Sequence, residues 1–447
     1  MSESQPREPG LLLCGARLVD GRTVDVRLGG GRIEAVGTAG SLAGGGPKTA
    51  GSGGGGDGAS AGSRTSESAR AARVDVSGYL LLPAPAEPHA HYDTAFTAAF
   101  PVTGPGAGGA PAGSVEDVQR RTTEAALLQL GLGATAARTH VRIGDVAGLR
   151  SLEAVLQARR SLRGLTDLDA VAVPRLLTGV AGADGLAMLR DAVKMGAAVV
   201  GGCPDLDPDP GGFVDAVLEV AAEQGCAVDL HTDGDDPARL SRLAAAAGGL
   251  RPGVSVGPCA GLARVPREAA ARTAERLAAA GVTVVCLPQG NCSALEGSSA
   301  RVGTSRAGAC GSGMAPVRLL RNAGVPVAAG SGALRDAANP VGRGDPLEAA
   351  YLLATRGECD AAGTAYASVS ACARSVMGLP EVRVEAGFPA ELLAVRGTEL
   401  AGALSLAYSR IVVHRGRVVT RTSAVREYCE FAAPSTEFGL PRQQSQD

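Results

Sequence analysis

Two histidines in one tripeptide are the residues of this chain whose type and spacing point most directly to chemistry. His89-Ala90-His91 follows residues 80–88, which read L-L-L-P-A-P-A-E-P. Side chains alternate between the two faces of a strand, so both imidazoles are expected to point the same way at a strand end. Neutral imidazole binds zinc, iron and similar ions well. The spacing therefore predicts half of a metal site, and the alternative is a surface pair on a loop.

The composition excludes several classes of function. The 447 residues are 45% hydrophobic and 3% aromatic, with a formal net charge of -2 and acidic and basic residues interspersed. Without a basic stripe, nucleic acid is not an expected partner. No apolar run approaches the length that spans a bilayer, and the first ten residues lack the layout of a secretory signal. We predict a cytoplasmic protein that is not bound to a membrane. Its ten cysteines are spread singly without C-x-x-C, which is typical of reduced, buried thiols.

Strand-like and helix-like segments alternate from Ser114 onward. Seven apolar runs of strand length each lie between helical segments, and residues 80–85 supply an eighth run. Continuous apolar strands that alternate with helices favour a parallel sheet covered by helices, and eight such units fit a (β/α)8 barrel. The predicted fold class is therefore α/β, with a TIM-type barrel over residues 78–380.

The chain ends are predicted to form a second, smaller unit. Short β-rich runs with turn signals occupy residues 10–77 and 381–425, and we expect both halves to pair into one small β-sandwich. The Gly/Ser-rich stretch 39–70 is predicted to be a flexible insertion, because it has too little apolar surface to offset the entropy of ordering. The polar segment 434–447 is predicted to be a disordered tail.

These features together resemble the amidohydrolase superfamily, and more closely the bacterial cytosine deaminases and their relatives. The segments that carry the resemblance, in consistent order over residues 11–422, are L-P-A-P-A-E-P-H-A-H-Y-D-T, A-A-R-T-H-V-R-I-G-D, V-V-G-G-C-P, A-V-D-L-H-T-D-G-D-D and A-G-F-P-A-E-L-L-A-V. The resemblance implies one divalent metal ion, zinc or iron, that activates water to attack a ring carbon and release ammonia. It places His89, His91 and His231 as metal ligands. It implies a packing or supporting role for His140 and a structural role for His414.

Several positions depart from the pattern that the resemblance implies. Gly234 stands where a catalytic Glu is expected, Pro258 where a His orients the attacking hydroxide, and Gly332 where an Asp binds the metal, with Ala333 at the neighbouring Asp. Arg175 replaces a substrate-facing Gln. Loss of a general acid or base typically lowers a rate about 10²- to 10⁴-fold. The departures therefore predict weak or absent deaminase activity.

Nearby residues could substitute for the missing groups. The substitutes considered are Asp233, Asp235 and Asp336, the acidic cluster Asp205, Asp207 and Asp209, and the thiols Cys203 and Cys259. The acidic cluster either binds a cation or basic substrate or forms a solvated loop.

Three functional hypotheses follow. The first is a degenerate cytosine deaminase-like protein that would hydrolyse C–N bonds in cyclic amidines, and not peptide bonds, if at all. The second is an active amidohydrolase with a rearranged site and an unknown substrate. The third is a non-catalytic ligand-binding or interaction protein. The expected partner is a small, nucleobase-like molecule; Arg175 hints at an anionic group on it, and a homo-oligomer is a further option.

Overall fold

The computed structural model describes residues 10–42, 71–99, 114–144, 148–290, 314–406 and 408–425. Most of the predicted insertion at 39–70 and all of the predicted tail at 434–447 lie outside the described residues. The described strands, numbered along the chain, are β1 (Leu11–Arg17), β2 (Thr23–Gly29), β3 (Arg32–Thr38), β4 (Ala72–Asp75), β5 (Tyr79–Pro83), β6 (Ala86–Ala90), β7 (Ala136–Ile143), β8 (Asp167–Pro174), β9 (Val199–Gly202), β10 (Ala227–Thr232), β11 (Val254–Pro258), β12 (Thr283–Cys286), β13 (Val327–Ala329), β14 (Leu392–Arg396), β15 (Arg410–His414) and β16 (Arg417–Thr422).

The described helices alternate with the middle strands. They are α1 (Val115–Gly131), α2 (Arg150–Ser161), α3 (Gly179–Met195), α4 (Pro210–Gln224), α5 (Pro237–Ala247), α6 (Arg267–Ala280), α7 (Val317–Asn322), α8 (Pro346–Thr355), α9 (Ala362–Val369), α10 (Ala371–Val376) and α11 (Leu400–Leu406), with two 3₁₀ turns at Pro204–Leu206 and Ala260–Arg264. In the described part of the chain, no helix has the length and apolar character needed to cross a bilayer.

Strands β6 to β13 form a parallel barrel in which the order of the strands is their order along the chain. The two end strands meet where the Gly332 amide donates to the His89 carbonyl at 2.9 Å and Gly332 pairs in parallel with Ala90. The predicted (β/α)8 fold is therefore confirmed. Apolar side chains on the outer faces of the strands pack against the helices in the largest core cluster, as expected for a parallel sheet covered by helices.

The prediction that the run at 80–85 is the first barrel strand is wrong. The apolar run at 80–85 does not line the barrel, because β5 pairs antiparallel with β14, from Leu392 opposite Pro83 to Arg396 opposite Tyr79. The first barrel strand is β6, which begins at Ala86. His89 therefore lies within the first barrel strand and His91 directly follows it.

A mixed sheet joins the two ends of the chain, in the order β16-β15-β14-β5-β1-β2-β3, with β4 paired to β1. The sheet curls on itself, because Arg32 at the start of β3 bridges to Pro389 just before β14. A separate apolar core, which includes Leu13, Val26 and Leu392, fills its interior. The expected pairing of both chain ends is present.

Three helices around the barrel begin with the same dipeptide. Asp209, Asp236 and Asp345 each precede a proline, and each carboxylate accepts at least one backbone N–H group of the first helical turn. Proline suits the first helical position because its missing N–H has no partner there in any case, and the preceding aspartate satisfies the free amides. These caps fix where α4, α5 and α8 start relative to the strand ends.

Candidate metal centre

The His-Ala-His segment enters the barrel interior. Glu87 and His89 lie on β6, where the pairing with β7 is irregular between Glu87 and Ala90. His89 is fully buried and His91 is 5% exposed. Their ring centroids are 5.2 Å apart. The two imidazoles therefore approach each other inside the fold, and the alternative of a surface pair on a loop is wrong.

His231 completes a group of three buried imidazoles. It lies near the carboxyl end of β10, and its Nε2 atom is 3.2 Å from Nε2 of His89. In His89, His91 and His231, one ligand atom of each residue lies within 4.8 Å of the others. The sequence predicted these three residues as ligands, and the structure brings them together.

The donor set of this group fits a divalent ion. Nitrogens that each lie about 2.0–2.1 Å from a tetrahedral zinc ion are about 3.3 Å apart, close to the 3.2 Å between the two Nε2 atoms. His89 Nδ1, His91 Nε2 and His231 Nδ1 are buried without a hydrogen-bond partner. A buried polar atom left unsatisfied costs about 1–3 kcal/mol. An ion held between the two Nε2 atoms would relieve that cost at His91 Nε2, whereas His89 Nδ1 and His231 Nδ1 would stay without a partner.

A second group lies beside the first, and sequence reasoning missed most of it. His140 of β7 stacks near His89 with 4.0 Å between ring centroids, and its Nε2 is 3.4 Å from Oδ1 of Asp229 on β10. Arg138 approaches the other carboxylate oxygen at 3.4 Å. Asp229 precedes His231 by two residues and therefore faces the same side of its strand. That spacing was the signal that could have revealed it.

Burial keeps His89, His91 and His231 neutral. Burial, followed by the charges of neighbouring histidines, lowers the pKa of His89 and of His91 well below 6.5, and burial lowers the pKa of His231 to about 3. Burial raises the pKa of Asp229, but the charges of His140 and Arg138 outweigh it, and the pKa lies below its usual range. Metal ligation needs neutral imidazole and ionised carboxylate. Burial favours the first, and the charged neighbours of Asp229 favour the second.

Glu87 binds the backbone of His89, and sequence reasoning missed this residue as well. Its carboxylate accepts the His89 amide at 3.0 Å and the Ser331 amide at 3.0–3.1 Å, so it joins β6 to the segment after β13. Gln129 of α1 also donates to it at 3.3 Å, and Tyr92 donates to Gln129. Burial raises the pKa of Glu87 to about 7, although these hydrogen bonds oppose the shift. This network fixes the backbone that carries His89.

The comparison with known families agrees with this geometry. The sequence model of the family described as "Amidohydrolase family" matches residues 102–420, more than half of the chain. The chain belongs to the amidohydrolase family. The match begins beyond His89 and His91, so it is independent of the motif that first indicated a metal site.

Named relatives of this amidohydrolase include deaminases. A pterin deaminase of Rhizobium rhizogenes is 30% identical over 320 residues, which are 69% of this chain and 71% of the relative. The crystal structure of an N-isopropylammelide isopropylaminohydrolase from Burkholderia multivorans is 25% identical, with a TM-score of 0.72 over 93% of this chain and 99% of the other. A 5-methylcytosine deaminase from Klebsiella pneumoniae shares the fold, with a TM-score of 0.74 at 22% identity over 94% of this chain and 99% of the other.

The three positions at which the sequence predicts a departure from the family pattern have backbone roles in this amidohydrolase. Gly234 adopts a left-handed φ of +72°, and Gly332, with φ +70°, closes the barrel through its amide. Pro258 ends β11 opposite Thr232 and is buried. None of these side chains can transfer a proton or bind a metal ion.

The carboxylates considered as substitutes have other partners or lie at the surface. Asp233 forms an ion pair with Arg264. Asp336 is buried, but it accepts from Thr94 Oγ1 at 2.9 Å and from two amides of its own loop. Asp235 is exposed. Among the described residues, neither group of candidate metal ligands contains any of the three.

The acidic cluster after β9 stabilises loops and a helix start. Asp205 pairs with Arg239 at 2.8 Å, Asp207 accepts the Leu177 amide at 2.9 Å, and Asp209 caps α4. Each carboxylate therefore has a structural partner, which favours the interpretation as a loop over that as a cation site.

The remaining sequence candidates lie near strand ends. Arg175 directly follows β8 and is exposed, so it stands at the carboxyl edge of the barrel. Cys203 follows β9 and Cys259 follows β11, and both are buried. Burial raises the pKa of the Cys259 thiol, which disfavours the thiolate that a metal would need. His414 lies in the mixed sheet, where its Nδ1 is 2.8 Å from Glu391.

Proposed function

We propose that this amidohydrolase is a cytosine deaminase-like protein that binds one divalent metal ion, zinc or iron, and has little or no deaminase activity. Its nominal reaction is hydrolysis of C–N bonds in small cyclic amidines. The observation that carries the proposal is the contrast within one site: three buried imidazoles converge, while the positions for the proton-transferring and charge-stabilising groups hold Gly234, Pro258 and Gly332.

The residues present would hold the ion and leave the chemistry incomplete. A bound divalent ion would supply a water molecule activated at neutral pH. His89, His91 and His231 would hold that ion, and Glu87 would fix the backbone of His89. No described side chain at position 234 or 258 can carry a proton onto a ring or stabilise the attacking oxygen. Each of these losses lowers a rate about 10²-fold or more.

The ligand is proposed to be a small, nucleobase-like molecule. Support comes from the relatives, which are a pterin deaminase, an N-isopropylammelide isopropylaminohydrolase and a 5-methylcytosine deaminase. Arg175 at the carboxyl edge of the barrel would pair with an anionic or carboxylate group on such a ligand.

Metal content and ammonia release test the proposal together. Purified protein expressed in metal-supplemented medium should contain about one equivalent of zinc or iron, and His231→Ala should lose most of it. His414→Gln is the matched control, because it changes a buried histidine of the mixed sheet and should keep the metal. A wild type without a stoichiometric ion would overturn the metal centre.

The activity arm uses cytosine, isocytosine, a pterin and creatinine. We expect ammonia release far below about 1 s⁻¹, at the low end of ordinary enzyme turnover. Turnover above that value that disappears in His231→Ala would show an active enzyme and refute the degenerate interpretation.

A further inference from the structure

We propose that Phe96 and Arg335 form a stacking platform at the carboxyl edge of the barrel, on which the planar ring of a small-molecule ligand lies. The inference rests on the proposed function and deepens it, because it names two residues that would select flat heteroaromatic rings. Both residues lie outside the metal group and outside the positions to which the resemblance gave a role.

The two residues lie on segments that leave the barrel beside the metal group. Phe96 follows His91, at the end of β6, by five residues. Arg335 follows Gly332 by three residues, and Gly332 donates its amide to the His89 carbonyl at 2.9 Å. Barrel enzymes bind their ligands at this edge, because the loops that follow the strands meet there. The platform is therefore placed where a ligand of the metal centre would enter.

Hydrogen bonds fix the two segments against each other. The Phe96 amide donates to the Leu334 carbonyl at 3.0 Å, and the Ala98 amide donates to the Arg335 carbonyl at 2.9 Å. The backbone of each residue is thus held by a partner in the other segment. A binding surface needs this rigidity, because less conformational freedom is then lost when the ligand binds.

Both residues have a backbone conformation that a bulky side chain rarely adopts. The φ angle is +63° at Phe96 and +48° at Arg335. Among the described residues other than glycine, positive φ occurs at two further positions, Cys259 and Arg415. Such strain costs free energy and is concentrated at ligand sites, where the surrounding structure enforces it. Glycine would avoid this cost, and the chain instead has two large side chains here that contact each other.

The two side chains form a cation–π contact with one open face. Cζ of Arg335 lies 4.7 Å from the centroid of the Phe96 ring. Phe96 is partly buried and packs against the barrel core, whereas Arg335 is exposed. The ring therefore supports one face of the planar guanidinium. The opposite face can receive a flat ring, since guanidinium stacks on aromatic systems.

A platform of this kind selects for ring shape. Every planar heteroaromatic ring has a π-face, so stacking tolerates different patterns of hydrogen-bonding groups on the ring. A fused two-ring system covers more of the guanidinium than a single ring does. Pterin, which is flat and has two fused rings, is therefore the most sensitive probe among the compounds named for the activity assay.

Binding of pterin, whose ring fluoresces, tests the platform. In titrations of purified protein, Arg335→Ala and Phe96→Leu should each weaken binding about three- to thirty-fold. Arg335→Lys should weaken it as much as Arg335→Ala, because lysine keeps the charge but has no planar surface. Wild-type affinity in Arg335→Lys would show attraction by charge alone and would overturn the inference.

Arg383 and Phe388 provide a matched control pair. The exposed Arg383 lies over the partly buried Phe388 ring, with 5.5 Å between Cζ and the ring centroid. This pair belongs to the mixed sheet, where the Phe388 carbonyl accepts the Ile33 amide of β3. Arg383→Ala and Phe388→Leu should leave pterin affinity unchanged. An equal loss of affinity in both pairs would be a general effect of removing such contacts and would overturn the inference.

Arg335→Gly separates a ligand-binding role from a structural one. Glycine adopts positive φ without strain. This variant should therefore unfold at a higher urea concentration than Arg335→Ala and still bind pterin as weakly. Wild-type affinity in Arg335→Gly would overturn this inference and leave the proposed function intact. A wild type that does not bind pterin would overturn the inference together with the proposed nucleobase-like ligand.

Discussion

At the residue scale, the backbone conformation of Gly234 disfavours the introduction of a glutamate at this position. Its φ of +72° is a left-handed conformation in which L residues are strained by about 1–2 kcal/mol. A Cβ there would lie 3.4 Å from Cα of Cys259, an ordinary van der Waals contact, so the cost comes from the backbone conformation. The position is therefore adapted to glycine in its conformation, and a Glu would be introduced at a cost in stability.

We predict that Gly234→Ala lowers the free energy of unfolding by about 1–2 kcal/mol. Urea unfolding followed by circular dichroism measures this. Gly363→Ala is the control, because Gly363 lies exposed in α9, without positive φ and with open space around its Cβ position. That change should leave stability unchanged or raise it by up to about 1 kcal/mol. Equal effects of both substitutions would contradict the prediction.

The buried histidines make stability depend on pH. The pKa values of His89, His91 and His231 lie below 6.5 in the fold. Below about pH 6.5 the unfolded chain binds protons that the folded chain does not. The contribution of these histidines to the stability of the metal-free protein is therefore fully present above that pH. As the pH falls below it, each histidine lowers the free energy of unfolding by up to about 1.4 kcal/mol per pH unit.

We predict that chelator-treated wild type loses more stability between pH 7.5 and 5.5 than His231→Asn does, by about 1 kcal/mol. Glu87, whose pKa is raised to about 7, acts in the opposite sense, because it favours the fold at lower pH. Both proteins contain Glu87, so the comparison cancels its contribution. The same loss in both proteins, measured by urea unfolding, would show that His231 does not stay neutral.

At the scale of elements, the two neighbouring aspartates that precede helix α5 have different roles. Asp236 caps the helix by accepting the amides of Ala238 and Arg239 at 2.9 and 3.0 Å. Asp235 is exposed, with no cap contact. We predict that Asp236→Ala costs about 1 kcal/mol of unfolding free energy, whereas Asp235→Ala stays within about 0.5 kcal/mol.

The same pair of variants bears on the site. If Asp235 is a surface residue, Asp235→Ala should also keep the full metal content of the wild type, measured by elemental analysis. Loss of metal in Asp235→Ala would instead place this carboxylate in the metal centre.

At the scale of the whole molecule, a buried ion pair joins the mixed sheet to the barrel. Arg410 at the start of β15 contacts both oxygens of Asp345, at 2.8 and 2.6 Å, and Asp345 caps α8. Both residues are 5% exposed. Removing one partner leaves a buried charge without compensation, which typically costs about 3–5 kcal/mol.

We therefore predict that Arg410→Ala destabilises the protein by about 3–5 kcal/mol. Arg415→Ala is the control, because Arg415 also joins the sheet to the barrel but through an exposed pair with Asp167 at 2.6 Å. Exposed pairs contribute about 0–1 kcal/mol. Calorimetric unfolding measures both changes, and a loss below about 1 kcal/mol in Arg410→Ala would contradict the role of the buried pair.

The sequence by itself determined the alternation of strands and helices. It also identified the three imidazoles, His89 and His91 of the motif and His231 of β10. Apolar periodicity is local, and each Asp-Pro cap is encoded within a few residues. The tertiary structure alone decided the rest. The apolar run before His89 fits either sheet, and its pairing with β14, some 300 residues along the chain, assigned it to the mixed sheet. Barrel closure likewise decided which carboxylates could reach the centre: it brought Asp229 beside His89 and His140, while Asp233 and Asp336 bound other partners. Contacts between strands distant in sequence depend on that closure, and no local pattern records them.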